Sequence, residues 1–375
     1  MLRLPIAAFT GAMLAGVAFL CPAAGAQLAA QHAPPQGPPP ANAAANPSSE
    51  SGDGAQAELQ TGNTLTREGF FDQAIPHLLA ARKQGLAPYA TGVNLGICYL
   101  GTHQYKDAIS ILQELIATEH ATASVYNLLA QAYLGNGQRQ EAWQSFLQAA
   151  TATPKDEKLY DYLADACTDQ GDFALGLSIV TRGLDALPES ARLHYERALF
   201  LAQLGNLEQA RPEFGQAATL GAGNDVGYLA QVQLALYGDQ YAKAEEVLRE
   251  AIATGHGDFR MLSLLGTVLL REGAAPGDPK FAEAQVVLEK SAGENANYPA
   301  TQIALGKVFL MQDQPRRALA HLEAGRRLEP NNPAVYVSLA SAWQKLGDRK
   351  KAAAMRRQLA QLLAQKAADA SPAKP

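Results

Sequence analysis

A small residue returns every 34 positions along most of this chain: Ala74, Ala108, Ala142, Gly176, Ala210 and Ala244, then, after one step of 40, Ala284, Ala318 and Ala352. A fixed period of this length means stacked copies of one small unit, each burying its apolar face only on its neighbours. Twelve residues before most of these positions stands a second small residue, at Gly62, Gly96, Ala130, Ala164, Ala198, Gly306 and Ala340; Gly266 serves the lengthened unit and Val232 is the bulky exception. This spacing predicts two helices in close approach, with the small residue of one facing that of the other. Between them lies a turn signal at Gly69, Gly137, Gly171, Gly205, Gly273 and Gly347, because glycine takes the left-handed conformation that ends a helix at no steric cost. Each unit is expected to be a helical hairpin.

The third unit is the clearest, with Tyr126, Leu129, Ala130, Tyr133, Gly137, Ala142, Phe146, Ala149 and Pro154. It resembles the tetratricopeptide repeat (TPR), whose run of aromatic, Leu, small, aromatic, Ala, aromatic and terminal Pro it follows, with Tyr126 in place of the usual Trp. Thr61, Arg197 and Gln231 depart from the pattern in other units, where Leu is expected. The resemblance implies an all-α fold over residues 55–365, a right-handed α-solenoid of about nine hairpins, with protein or peptide partners held in a concave groove. Length sets no ceiling on such a chain, because the buried seam grows with each repeat.

The ends read differently. Arg3 precedes an apolar run from Ile6 to Leu20, followed by Ala24-Gly25-Ala26, the pattern of a secretory signal peptide over residues 1–26. Removal after Ala26 would make the protein periplasmic or secreted; the alternatives are an anchor retained at residues 6–20 and lipidation at Cys21. Residues 27–54 hold Ala, Pro, Gln, Gly, Asn and Ser with almost no large apolar side chain, and are expected to be a disordered tether. Residues 366–375 read the same way. Cys98 and Cys167 fall on first helices two units apart, about 20 Å at ~10 Å per helix neighbour, so no disulfide is expected.

No phosphate loop, HExxH, CxxC, nucleophile elbow or dinucleotide fingerprint occurs, so catalytic residues, cofactor and metal are all read as none, with no nucleic acid and no small-molecule substrate as partner. The seven histidines are scattered. His194 is within possible reach of Asp165, but no third ligand or nucleophile accompanies them. Charge is uneven: from Pro299 onward there are 13 Lys or Arg against 5 Asp or Glu, net +8, while residues 1–298 carry net −13. Such asymmetry suits steering of an anionic partner or head-to-tail self-association; the plainer reading is a solubilised capping end.

In a stack of hairpins the first helices line the groove, and residues at i, i+4 and i+8 form its floor. These positions give Asp161, Asp165 and Asp169, flanked by Tyr162 and by Tyr195 of the next unit, an acidic stripe for a cationic peptide or an ordinary solvated face. Upstream, Asn63, Asn94, Asn127 and Gln131 offer amides that both donate to and accept from an extended backbone. Asn63 and Asn94 fall where the carboxylate clamp with which some TPR proteins hold chaperone C-termini has its asparagines, but Leu59, Ser124 and Leu128 stand where its cations belong, so that clamp is read as absent. The insertion Gly273–Pro279 reads as a lengthened loop. The function expected is an exported, non-catalytic scaffold; the alternative is a self-assembling structural component of the cell envelope or a secretion complex.

Overall fold

The computed structural model describes residues 52–118 and 120–369. The expected signal peptide, the tether up to Ser51 and the tail beyond Asp369 lie outside the described residues. Those described form an all-α solenoid of helical hairpins without a strand. In chain order the helices are α1 (Gly52–Arg67), α2 (Phe71–Lys83), α3 (Pro88–Gly101), α4 (Tyr105–Ala117), α5 (Ala123–Gly135), α6 (Arg139–Ala152), α7 (Glu157–Gln170), α8 (Phe173–Ala186), α9 (Ala191–Gln203) and α10 (Leu207–Leu220). They continue as α11 (Asp225–Tyr237), α12 (Tyr241–Ala253), α13 (Phe259–Arg271), α14 (Pro279–Glu294), α15 (Pro299–Met311), α16 (Pro315–Leu328), α17 (Pro333–Lys345) and α18 (Arg349–Asp369). Odd numbers are first helices and even numbers second helices. Helix α1 starts at Gly52 rather than Ala55, and α18 runs on to Asp369, past the expected end at 365.

Local chemistry sets the helix starts. Thr122 Oγ1 accepts from the Val125 amide at 3.3 Å and Ser190 Oγ from the Leu193 amide at 2.9 Å, covering donors that have no partner in the first turn. Pro88, Pro299, Pro315 and Pro333 each open a helix, where the missing N–H costs nothing.

The turn signal is obeyed more widely than glycine alone. Gly69, Gly137, Gly171, Gly205, Gly273 and Gly347 all have positive φ, and His103, Asp239 and Asp313 take φ of 58°, 54° and 57° at the same repeat position. The hairpin geometry is therefore imposed at every unit, with strain where a side chain is present.

The seam inside the hairpins differs from the expected pairing of small with small. A Cβ on Gly62 would lie 2.7 Å from the Leu78 side chain, on Gly96 2.9 Å from Leu112, and on Gly306 2.4 Å from Leu322. The first helix gives up its side chain so that a leucine, four residues beyond the expected Ala74, Ala108 or Ala318, can fill the space. At Gly176, on the second helix of its hairpin, the small residue serves the next unit instead: a Cβ there would meet the Phe200 ring at 2.4 Å.

Two compact units divide the described chain inside α10, one ending at Ala210 and the other beginning at Arg211. The N-terminal unit buries Leu78, Leu95 and Leu112 in one cluster and Phe146, Tyr160, Ile179 and Phe200 in the next. The C-terminal unit centres on Leu288, Leu305, Phe309, Leu322 and Leu339. Within each unit successive first helices pack on one another, as α5 does on α7 and α15 on α17, and no pair of second helices among the described residues packs as closely. First helices thus form the tighter, inner layer. In the inserted loop, Ala274 is buried and Asp278 caps α14 by accepting from the Lys280 amide at 2.8 Å. Cys98 and Cys167 are buried free thiols, and burial pushes both thiols up from their ordinary range.

Candidate functional site

The inner layer of the N-terminal unit holds the predicted residues, but the structure sorts them into three groups. The first is an amide pair linking α1 to α3, in which Asn94 Nδ2 donates to Asn63 Oδ1 at 2.6 Å. The second joins α5 to α7. Asn127 is buried; its Nδ2 donates to the Leu159 carbonyl at 3.3 Å and its Oδ1 accepts from Gln131 Nε2 at 3.0 Å. These amides tie one repeat to the next, so the expectation that they stand ready for an extended peptide is corrected for Asn127, whose hydrogen-bonding capacity goes largely to its own chain.

The third group is the acidic stripe, and it is neither uniformly wet nor uncompensated. Asp169 and Tyr162 are exposed, Tyr162 by 42 %. Asp161 is half-buried, while Asp165 is 1 % exposed and Tyr195 3 %. Tyr195 is therefore a buried residue rather than an exposed groove aromatic. Asp165 is likewise sealed off from solvent.

Two residues of α9 complete the cluster. Arg192 Nε donates to Asp161 Oδ1 at 2.7 Å, and its Nη2 lies 3.0 Å from Glu196 Oε1 and 3.9 Å from Asp165 Oδ1. Glu196 is as buried as Asp165. One oxygen each from Asp161, Asp165 and Glu196 can be chosen so that all lie within 4.8 Å of one another. Neither Asp165 oxygen accepts a hydrogen bond. Burial, and then the charges of Glu196, Asp161 and Asp169 against the single opposing Arg192, hold the Asp165 carboxyl well above the usual carboxylate range.

The sequence reading missed Arg192 and Glu196 because it followed one helix at a time. The signal lay across repeats. Asn63 and Asn94, Asp161 and Arg192, and Asp225 and His256 are each bonded pairs 31 residues apart, the period less the three-residue stagger of neighbouring first helices. The notional pairing of His194 with Asp165 is not made; His194 Nε2 donates to the Pro188 carbonyl at 3.0 Å.

The tetratricopeptide repeat family model matches residues 93–157, 163–225 and 229–290, just over half of the chain. The chain belongs to the tetratricopeptide repeat family. Among solved structures, a TPR protein from Parabacteroides merdae superposes with a TM-score of 0.51 at 19 % identity, covering 68 % of this chain and 98 % of that one. The APC/C hetero-tetramer Cut9–Hcn1 gives 0.47 at 15 % identity over 78 % of this chain and 57 % of its own. YrrB, a TPR protein with an unusual peptide-binding site, gives 0.33 at 18 % identity over 49 % and 91 %. At these identities the likeness is one of fold. No curated protein sequence matches the chain.

Proposed function

We propose that this TPR protein is an exported, non-catalytic scaffold that holds an extended protein segment along the inner layer of its N-terminal unit. A cationic side chain of the partner sits against Asp161 and Asp169 beside the Tyr162 ring. The observation that carries this reading is the concentration of carboxylates on α7: the half-buried Asp161 and the exposed Asp169 stand one turn either side of the buried Asp165, with the exposed Tyr162 beside them. The exposed Tyr162 adds an aromatic face on which a cation gains a further ~0.5–1 kcal/mol. Membership of a family of interaction scaffolds supports binding rather than turnover. The apolar run before Ala26 supports export.

The test places a photo-crosslinking residue at position 162 in cells of the source organism and identifies the segment captured. That segment, as a synthetic peptide, is titrated against wild type and Asp161→Asn/Asp169→Asn at low and high salt. Equal affinity in all four cases overturns the acidic contact. Mass spectrometry of the native protein tests the signal peptide: a chain beginning at Gln27 supports removal after Ala26, one retaining Met1 points to the anchor, and one lipidated at Cys21 to a membrane surface.

A second reading, self-assembly, draws on the C-terminal unit. There Asp313, Glu323 and Asp348 are each paired with a cation, and Arg316, Arg327, Arg349, Lys350 and Arg357 make no ion pair among the described residues. A charge-driven assembly must dissolve as salt rises, which size measurements at two ionic strengths decide.

A further inference from the structure

Asp161 and Asp165 of α7 and Glu196 of α9 bring three carboxylates together. Two of the three are on residues only 1 % exposed. A buried carboxylate normally accepts several hydrogen bonds or an ion at close range. Asp165 accepts no hydrogen bond at either oxygen, and its one ion pair, to Arg192, is long at 3.9 Å. Arg192 meanwhile engages one oxygen of Asp161 and one of Glu196. Asp165 offers both of its oxygens.

We propose that Asp161, Asp165 and Glu196 form a binding site for one divalent cation, Ca2+ in preference to Mg2+, on the inner layer of the N-terminal unit. Two features select the ligand. The donors are all carboxylate oxygens, which suit hard cations rather than Zn2+ or Cu2+. Their spread also fits: oxygens within 4.8 Å of one another can share an ion held at about 2.3–2.6 Å, the Ca2+ distance, whereas Mg2+ at about 2.0–2.1 Å requires them to draw closer. A 2+ ion shared by the three carboxylates offsets their mutual repulsion. It also supplies Asp165 with the close partner it lacks. Arg192 stays in place as the link between α7 and α9.

This inference does not rest on the partner reading, and its test contains no partner. Chelator-treated full-length protein is titrated calorimetrically with CaCl2, MgCl2 and MnCl2, and separately with Tb3+, whose luminescence the neighbouring tyrosines sensitise. Asp165→Asn, Glu196→Gln and a distant control, Glu250→Gln, are measured beside wild type, with helicity checked for each. The expected result is one ion per chain, Ca2+ bound more tightly than Mg2+, and a melting temperature that climbs with CaCl2. Asp165→Asn and Glu196→Gln each weaken binding by about tenfold or more, and Glu250→Gln leaves it unchanged. Absence of binding to wild type overturns the proposal and leaves a proton as the partner of Asp165. Binding that persists undiminished in Asp165→Asn also overturns it, since the ions are then diffuse counterions.

Discussion

Asp165 in the N-terminal unit and Lys307 in the C-terminal unit occupy the same place in the repeat, four periods and the six-residue insertion apart. Both face the inner layer, and each is held away from its ordinary titration range by its surroundings. Burial and three acidic neighbours push the Asp165 carboxyl up. Lys307 keeps an exposed side chain, yet the protein around it leaves its ammonium short of water, and Arg271 adds repulsion, so its pKa falls. The seams beneath are alike: Gly96 under Leu112 and Gly306 under Leu322. A single hairpin design thus carries opposite charges at one position, which teaches that packing and recognition are written in different columns of the repeat.

The strongest way to break this comparison is to remove the compensating cation. Arg192→Ala leaves Asp161, Asp165 and Glu196 facing one another, and loss of one partner of a largely buried ion cluster is expected to cost about 3 kcal/mol. Denaturant unfolding at neutral pH measures it, and a loss no larger than that of an exposed ion pair would mean the cluster is already neutralised. Next in size, Ala142→Trp and Ala318→Trp overpack the same seam in the two units, each expected to lower stability by about 1–3 kcal/mol. Unequal costs would show that the units do not share one hairpin design.

The charge columns are expected to respond to pH with opposite sign. An acid whose folded pKa is raised binds more protons in the native state than in the unfolded chain, so stability falls as pH rises above about 3.9. With divalent ions chelated, Asp165→Asn should therefore stabilise the protein at pH 7 and be neutral at pH 3. A lysine whose folded pKa is lowered binds fewer protons when folded, so Lys307→Met should stabilise at pH 7, with the gain vanishing above about pH 10.4. Paired unfolding curves at the three pH values test both. The smallest effect belongs to the turns: His103→Gly removes a side chain from a left-handed residue and is expected to add about 0.5–1 kcal/mol, read as a rise in unfolding midpoint.

The fold was legible because period, small residues and turns all repeat, and nine weak signals in phase make a strong one. Even His103, Asp239 and Asp313, which do not look like turn residues beside glycine, adopt the left-handed conformation that the period demands. The seam was half legible: the small residues mark close approach, but only the structure shows that Leu78 and Leu112 fill it. The candidate site was the least legible. Asp161 and Asp169 could be placed on the inner layer from helical spacing, but burial at Asp165 and Tyr195 depends on α9, and Arg192 lies 31 residues from Asp161. A period-3.6 reading of a single helix does not reach that far.

The staggered polar pairs also bear on how the chain reaches its folded state. Asn63 to Asn94, Asn127 to Leu159, Asp161 to Arg192, Asp313 to Lys345 and Arg249 to Glu283 each close a loop of 31 to 34 residues. Closing a loop of that size carries a modest and nearly constant entropic cost, and contacts this local favour fast folding. Each hairpin can dock as soon as the one before it exists, so a chain delivered from its N-terminus can assemble in the order of its sequence, one repeat behind its point of emergence.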